Sequence, residues 1–306
     1  MIHTYDDRFS PVAQDAGSVI RLCTGAKWSE GPVWMHEDQS LLWSDIPNNR
    51  ILRWNKQDGM TVWRGNAEFT NGHTREADGS LLHCSHGLRA IVRTRFSKDL
   101  SEQRDEIVVD RYQGRRLNSP NDVVVKSDGT IWFTDPPYGI VSNYEGYKAD
   151  SELGNCYVFR FDPVSKSLRI VTDLIEEPNG LAFSPDESTL YISDTSAALK
   201  KDGGGNHHIM AFDVVGGQDL ATPRLFATIS PGLSDGFRVD QHGFLYTSCE
   251  EGVQVYHPDG TKMALIDVPE KVGNLTFGGI SRNELYICAS QSLYCIRLNT
   301  KGLQTP

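Results

Sequence analysis

Six times along the chain, an oxygen-bearing side chain stands just before a short apolar run, and a second apolar run follows after a tight turn. Counting fourteen to sixteen residues on from each of these positions reaches another polar residue. That offset is the length of two strands and a hairpin, so it predicts six copies of one β-unit. The leading positions and their partners are Glu30 and Asp45, Asn71 and His86, Asn121 and Asp135, Asn179 and Asp194, Asp235 and Glu250, and Asn274 and Ser290.

Each unit continues beyond its second apolar run into a third alternating run and, less regularly, a fourth. The leading polar positions are separated by 41, 50, 58, 56 and 39 residues. Four-stranded units at spacings of this order are typical of β-propeller blades. Asp-Gly pairs at 78–79 and 128–129 predict the hairpin turns, which need positive φ. We therefore predict an all-β, six-bladed β-propeller with four-stranded blades around a central channel.

The sixth unit has no fourth run after it. The segment SVIRLCTG at residues 18–25, ahead of the first unit, is able to supply that strand and close the ring. We therefore expect residues 18–306 to form a single propeller domain, preceded by an N-terminal extension over residues 1–17.

Composition narrows the range of partners. The net charge of −10 disfavours nucleic acid and anionic membranes as partners, and no apolar run approaches the ~20 residues that span a bilayer. The N-terminus lacks the basic and apolar regions of a signal peptide. The six cysteines form no C-x-x-C pair, which predicts reduced thiols. We expect a cytoplasmic protein with a small-molecule partner, as a monomer or weak homodimer.

The first strand of a propeller blade lines the channel, so its leading residue faces the axis. We place Glu30, Asn121, Asn179 and Asp235 on a divalent cation, because carboxylate and amide oxygens are the ligands of hard ions. The alternative is that Asn and Asp before a strand make turn hydrogen bonds. For one such position alone, turn hydrogen bonds are the better explanation. Six positions at the same place in successive units favour a metal site. Asn71 and Asn274 fit the pattern less tightly and are left as turn or supporting residues.

The longest insertions, residues 136–154 and 195–207, follow the second strands of units three and four. Loops there emerge on the face that carries the leading polar residues, so we expect them to wall or cover a pocket. Asp45 and Asp135 are expected to end their strands as Asx turns. The candidates for substrate binding on this face are Asn121, Asn118, Arg116, His73 and Tyr138.

These candidates have plain structural alternatives. For Arg116, a solvated loop cation is an equal alternative to substrate binding. His73 and His86 are better explained as polar channel residues than as ligands, and substrate binding is their alternative role. The chain has no G-x-S-x-G elbow, no Walker loop and no H-E-x-x-H motif. Any chemistry is therefore expected to come from a metal and a carboxylate.

Four segments carry a resemblance to a known family: EGPVW at 30–34, LNSPNDVVVKSDGTIWFTDPPYG at 117–139, PNGLAFSPDESTLYISDT at 178–195 and SDGFRVDQHGFLY at 234–246. From about residue 18 to 298 the chain resembles the SMP-30/gluconolactonase/LRE family, whose members include regucalcin. The wording NSPNDVVV and FTDPPYG is closer to bacterial and fungal gluconolactonases than to the animal proteins. NSPND replaces a shorter segment of the animal pattern.

The resemblance implies a six-bladed propeller with one divalent metal in the channel. Its ligands would fall on Glu30, Asn179 and Asp235, with Asn121 near metal or substrate, and Asp235 would be the general base or acid. It implies a hydrolase of sugar-acid lactones of the glucono-1,5-lactone type, a carboxylic ester hydrolase. Ca²⁺ is the first expectation for the ion, with Zn²⁺, Mn²⁺ and Mg²⁺ as alternatives.

Other functions stay open at this point. One is a non-catalytic calcium-binding or ligand-sensing propeller, because the same oxygen shell can hold a cation without chemistry. Another is a related hydrolase of aryl esters or phosphotriesters. A quinone-dependent sugar dehydrogenase shares the propeller, but no residues that clamp such a cofactor are recognisable.

Overall fold

The structure, a computed structural model, describes residues 1–97, 103–200 and 203–303. Over these ranges, six antiparallel sheets of four or five strands follow one another along the chain and form a ring. The first strands of neighbouring blades contact one another around the central channel. The predicted six-bladed β-propeller is confirmed.

The N-terminal segment contains β1 (Ile2–Thr4), the short helix α1 (Ser10–Ala13) and β2 (Ile20–Thr24). The strands of each blade are given from the channel outward. Blade one consists of β3 (Ser29–Met35), β4 (Ser40–Asp45), β5 (Arg50–Asn55) and β6 (Gly59–Gly65), and blade two of β7 (Thr70–Arg75), β8 (Leu81–Ser85), β9 (Ala90–Phe96) and β10 (Gln103–Val109). A small hairpin of β11 (Arg111–Tyr112) and β12 (Arg115–Arg116) precedes blade three, which consists of β13 (Val123–Val125), β14 (Ile131–Asp135), β15 (Tyr157–Asp162) and β16 (Ser167–Thr172).

Blade four consists of β17 (Pro178–Phe183), β18 (Thr189–Asp194), β19 (His208–Val215) and β20 (Asp219–Thr228). Blade five consists of β21 (Phe237–Val239), β22 (Leu245–Cys249), β23 (Gly252–Tyr256) and β24 (Lys262–Asp267). Blade six begins with β25 (Val272–Gly278), β26 (Glu284–Ala289) and β27 (Ser292–Arg297). Helix α2 (Tyr138–Val141) lies in the loop of blade three. Short 3₁₀ helices cover Asp7–Phe9, Ile46–Asn48 and Ser196–Ala198.

The turns that join first and second strands follow the sequence prediction. Gly79 and Gly129 have φ of +85° and +82°, which only glycine adopts without strain. Asp78 and Asp128 accept a backbone N–H two residues on through their side chains. These local bonds fix the hairpin length, and hairpin length fixes which side chains of the first strand face the channel.

The ring is closed by the N-terminal segment. β2 lies outside β27 as the fourth strand of blade six, with Ile20 opposite Cys295 and Thr24 opposite Ser292. The closure predicted from residues 18–25 is confirmed. β1 adds a fifth strand to the outer edge of blade five, where it pairs with β24. The division into an extension over 1–17 and one domain over 18–306 stays a prediction.

The core lies between the blades, where large side chains of neighbouring sheets interlock. Trp34 of blade one stacks on Tyr286 of blade six, with ring centroids 5.1 Å apart. Tyr246 of blade five meets Phe277 of blade six edge to face at 5.2 Å. Such pairs add to the free energy of burial and make neighbouring blades mutually dependent. The six cysteines are free, as predicted. Among the described helices, none is long and apolar enough to cross a membrane.

Candidate metal and substrate site

The six leading polar residues lie at one end of the channel, each at or just before the start of a first strand. Five of them are almost fully buried, whereas Asp235 keeps partial exposure. They are Glu30, Asn71, Asn121, Asn179, Asp235 and Asn274. The shared position along the strands makes this end of the channel a cluster of carboxylate and amide groups, which we call the polar mouth.

Backbone hydrogen bonds between blades hold the polar mouth together. The N–H of Gly72 donates to the carbonyl oxygen of Asn121 at 2.9 Å, and the N–H of Gly180 donates to that of Asp235 at 2.9 Å. Hydroxyls on second strands also donate to carbonyls of the polar mouth: Thr134 to that of Asn179 at 2.7 Å and Ser193 to that of Asp235 at 3.2 Å. The backbone beside each polar residue is therefore tied to a neighbouring blade.

These close approaches explain the glycine that follows several of the polar residues. A Cβ at Gly180 would lie 2.4 Å from the carbonyl oxygen of Asp235, well inside contact distance. We expect Gly180→Ala to lower the free energy of unfolding by about 1–3 kcal/mol through this overlap. Gly65→Ala is the control, because a Cβ there meets nothing within 4 Å. Chemical denaturation of both variants measures the difference; equal stabilities would contradict the overlap.

Glu30 is the centre of the polar mouth's hydrogen bonding. Its Oε2 accepts from the Nδ2 of Asn274 at 3.0 Å and from the N–H of Gly31 at 3.0 Å. Its Oε1 is buried and has no hydrogen-bond partner within the described ranges. A buried carboxylate oxygen without a donor is costly, so it marks a place where a further group is expected.

The two carboxyl groups of the polar mouth influence each other strongly. Burial, and then the charge of Asp235, raise the pKa of Glu30 well above its ordinary value. Burial raises the pKa of Asp235 to about 6, although the charge of Lys271 and hydrogen bonding with Asn179 act in the opposite direction. Two carboxyls held together away from water resist ionising at the same time.

This arrangement fits a hard divalent cation. Neither Glu30 nor Asp235 has a salt-bridge partner among the described ion pairs, so two charges would neutralise them. Asn121 and Asn179 add amide groups of the right chemistry at the same level. Searched over the described residues, the chain has no group of three or more His, Cys, Asp or Glu placed for a metal, so amide oxygens are needed to complete the shell. The donor set excludes a structural zinc site of the Cys/His kind.

The raised pKa of Asp235 predicts how stability depends on pH in metal-free protein. A carboxyl whose folded-state pKa is raised stabilises the fold fully below its unfolded pKa, near 3.8, and that stability is lost as the pH rises through about 6. Denaturant unfolding from pH 4 to 7, compared between wild type and Asp235→Asn, isolates this contribution of up to about 3 kcal/mol. Parallel pH curves for the two proteins would contradict the prediction.

The long loop of blade three brings Tyr138 to the polar mouth. The Tyr138 hydroxyl lies 2.6 Å from Thr195 Oγ1 and donates to Glu177 at 3.1 Å. Thr195 Oγ1 also accepts from the Nδ2 of Asn179 at 3.2 Å. Tyr138 is therefore linked to a predicted ligand through one hydroxyl, at the wall of the site.

Three other predicted substrate residues are not brought together with this cluster. Asn118 donates its amide to the carbonyls of Asp135 and Asn155 and accepts from Ser151, so it ties down the loop. Arg116, on the hairpin of β11 and β12, donates to the carbonyl of Leu88 in the turn between β8 and β9 of blade two. His73 lines the channel further from the polar mouth. Their contact with a substrate stays a prediction.

The second polar set of the sequence has the structural role predicted for Asp45. Its carboxylate accepts from the N–H of Lys27, from Asn48 and from the Nε of Arg50. Asp194 likewise accepts from the backbone of Glu176 and Ser196. These aspartates therefore fold the loops that surround the polar mouth.

Sequence reasoning missed two charged residues at the polar mouth. Glu145, in the long loop of blade three, has its pKa raised to about 7 by burial and by Asp235. Lys271 lies three residues before Asn274, and its ammonium sits 5.7 Å from the ring of Trp28 and lowers the pKa of Asp235. The position of Lys271 just ahead of a leading polar residue was the available signal; nothing in the sequence marked Glu145.

The fold and the polar mouth define a propeller with an oxygen-rich channel entrance. A family profile described as the SMP-30/Gluconolactonase/LRE-like region matches residues 28–291. The chain belongs to this family, as the sequence resemblance predicted. A gluconolactonase from Zymomonas mobilis is 30% identical to it, over 98% of this chain and 87% of that protein. Pentonolactonase XacC from Haloferax volcanii is 28% identical, over 86% of this chain and 82% of its own.

Solved structures of related proteins have the same fold as this chain. A gluconolactonase from Xanthomonas campestris superposes with a TM-score of 0.87 and 38% identity, covering 97% of this chain and 94% of that one. A calcium-binding regucalcin from Agrobacterium tumefaciens superposes with a TM-score of 0.73 at 17% identity, covering 94% and 95% of the two chains. At 17% identity, the similarity to this regucalcin concerns the fold alone.

Proposed function

We propose that this protein is a metal-dependent lactonase that opens a sugar-acid lactone of the glucono-1,5-lactone type to the aldonic acid. The observation that carries the proposal is the pair of carboxyls of buried Glu30 and half-buried Asp235, which has no cation within salt-bridge distance in the described structure. Membership of a family that includes gluconolactonases and a pentonolactonase supports a lactone as the substrate.

Glu30, Asn121, Asn179 and Asp235 would hold the ion. When bound, a divalent cation polarises the lactone carbonyl and stabilises the oxyanion that forms on it. We choose Ca²⁺ first because the donors are oxygens; Zn²⁺, Mn²⁺ and Mg²⁺ are the alternatives. The Nδ2 of Asn274 and the N–H of Gly31 hold Glu30 in place, which orients its free oxygen.

Asp235 would move the proton. It is the more exposed of the two carboxyls, so water can reach it, and a carboxylate in this position can accept a proton. It takes a proton from water as the water oxygen bonds to the carbonyl carbon. It then returns that proton to the ring oxygen as the ester C–O bond breaks. Lys271 favours the ionised form of Asp235 before the reaction.

The substrate would lie under the loops of blades three and four. Tyr138 and Glu145 lie on the first of these loops, and the Tyr138 hydroxyl meets Thr195 Oγ1, which accepts from Asn179 of the polar mouth. Polar groups in this position suit the hydroxyls of a sugar acid. A small lactone is therefore the partner we propose.

The deciding experiment measures acid release from glucono-1,5-lactone near neutral pH, with the spontaneous rate subtracted. Metal-stripped protein is assayed first, and again after addition of Ca²⁺, Zn²⁺, Mn²⁺ or Mg²⁺. We expect no turnover without metal and turnover with at least one ion. The absence of any rate above background with every ion would remove this lactone. Metal binding without hydrolysis of any lactone would favour the binding-protein function.

A further inference from the structure

The channel has a second chamber at its other end. A cavity of about 470 Å³ opens at the mouth opposite the polar mouth, a volume in the range of small-molecule sites. Its wall is formed by residues that follow the leading polar residues along the same first strands, including His73, Ala182, Arg238 and Thr276. We call it the distal cavity. It is separate from the proposed lactone site and takes no part in the function proposed above.

Asp122 and Arg238 lie between the two chambers. Arg238 reaches from blade five to within 3.5 Å of the Asp122 carboxylate of blade three, and donates to the carbonyl of Phe237 at 2.8 Å. Asp122 is buried, and its negative charge contributes to the raised pKa values of Glu30 and Asp235. Arg238, in contrast, lines the distal cavity. The pair therefore forms a floor under the polar mouth and a ceiling over the distal cavity.

His73 gives the distal cavity an unused acceptor. Its Nδ1 lies 2.7 Å from the carbonyl oxygen of Gly31, which can only accept, so Nδ1 carries the proton. In the neutral ring, Nε2 is then a bare acceptor, and burial keeps the ring neutral by lowering the pKa to about 4. His73 is 1% exposed, and its Nε2 has no partner in the described part of the chain. A ligand hydroxyl would satisfy it.

The two arginines that line the distal cavity are already paired with carboxylates. Arg238 faces Asp122, and Arg75 donates to Glu37 at 3.0 Å. Glu187 pairs with Lys126 at 2.9 Å. Within the described residues, the cavity therefore offers an anion no unpaired arginine or lysine, and the carboxylate of Asp186 adds a negative charge to its wall. Between these polar groups its wall is mostly aliphatic, with valines from the first strands of blades one, three and five.

We propose that the distal cavity binds an uncharged, polyhydroxylated molecule of monosaccharide size. One hydroxyl donates to His73 Nε2, another accepts from the guanidinium of Arg238, and Thr276 offers a further hydroxyl. The C–H faces of the sugar lie against the aliphatic wall. A charged sugar acid binds less well, because it would have no unpaired cation to meet.

The test uses the full, metal-loaded chain and the histidine ring nitrogens as NMR probes. D-glucose and D-gluconate are titrated separately to 100 mM. His86 reports on the polar mouth, because its Nε2 lies 3.4 Å from the Nδ2 of Asn71. We expect glucose to shift the Nε2 signal of His73, assigned by its loss in His73→Leu, and to leave that of His86 unchanged. A shift of His86 alone, or no shift of His73, overturns the proposal.

Variants test the contacts. Thr276→Val removes a hydroxyl that lines the distal cavity at nearly constant volume, and we expect it to weaken glucose binding about fivefold, the effect of one hydrogen bond. Thr61→Val, on the exposed face of β6, is the matched control and is expected to leave the affinity unchanged. Unchanged affinity in Thr276→Val overturns that contact. Gluconate that binds at His73 more tightly than glucose overturns the uncharged class.

Discussion

Asp235→Asn is expected to lower the turnover of the lactone by about 10²–10⁴-fold, the range for loss of a positioned general base. The amide keeps the size of the side chain and an oxygen for the ion, but it cannot take a proton from water. The change also removes one of two carboxyls that oppose each other, so the metal-free variant is expected to fold at least as stably as wild type. Steady-state kinetics with saturating metal measures the effect.

Asp240→Asn is the matched control in the same blade. The Asp240 carboxylate accepts hydrogen bonds from the N–H of His242 and from Thr300 and Tyr246, away from the polar mouth. We expect it to reduce stability while turnover per folded molecule stays near that of wild type. Unchanged turnover in Asp235→Asn protein that still binds metal would falsify the assignment of Asp235 as the base.

Glu30→Gln is expected to have opposite effects on metal affinity and on the stability of metal-free protein. Loss of a ligand charge should weaken metal binding by more than the ~10–100-fold typical of an outer contact. The same change removes a buried carboxyl whose ionisation is resisted by burial and by Asp235, so the metal-free variant should melt higher, by roughly 2 °C. Calorimetric metal titration and thermal unfolding with and without metal measure both effects.

Glu37→Gln, just beyond β3 in blade one, is the control for Glu30→Gln. Arg75 holds the pKa of Glu37 below its ordinary value, so loss of this carboxylate should lower stability slightly and leave metal affinity unchanged. A lower melting temperature for metal-free Glu30→Gln would contradict the repulsion between the two carboxyls. Unaltered metal affinity would remove Glu30 from the ligand set.

The architecture was predictable because its signals are local. Gly79 and Gly129 mark turns by their own backbone requirement, and the apolar run at residues 18–25 has the alternation of a strand with no partner nearby in the chain. The pairing of β2 with β27 then follows from counting strands in the last unit. The turns and strands are recognised from a few neighbouring residues, and the closure of the ring needs only a count of the strands in each unit.

The site was less predictable because its contacts join distant segments. The hydrogen bond between Asn274 and Glu30 spans 244 positions, and no local pattern specifies it. His73 shows another limit. Alternation predicts that Asn71 and His73 both face the channel, but two residues of strand correspond to about 7 Å of depth, which separates the polar mouth from the distal cavity. Asn118 lies in an irregular segment and Arg116 in the two-residue strand β12, and neither is long enough for alternation to give the direction of a side chain.

The closing strand β2 also affects how the protein is made. Blade six takes its outer strand from residues 20–24 and its other three from residues 272–297, so a strand that is synthesised early can pair only after a segment that is synthesised much later. Glu30 meets Asn274 only when blades one and six come together. The nascent chain can therefore form most blades in order, but it completes the polar mouth in a single late step. Catalytic activity during translation would report the moment at which the ring closes.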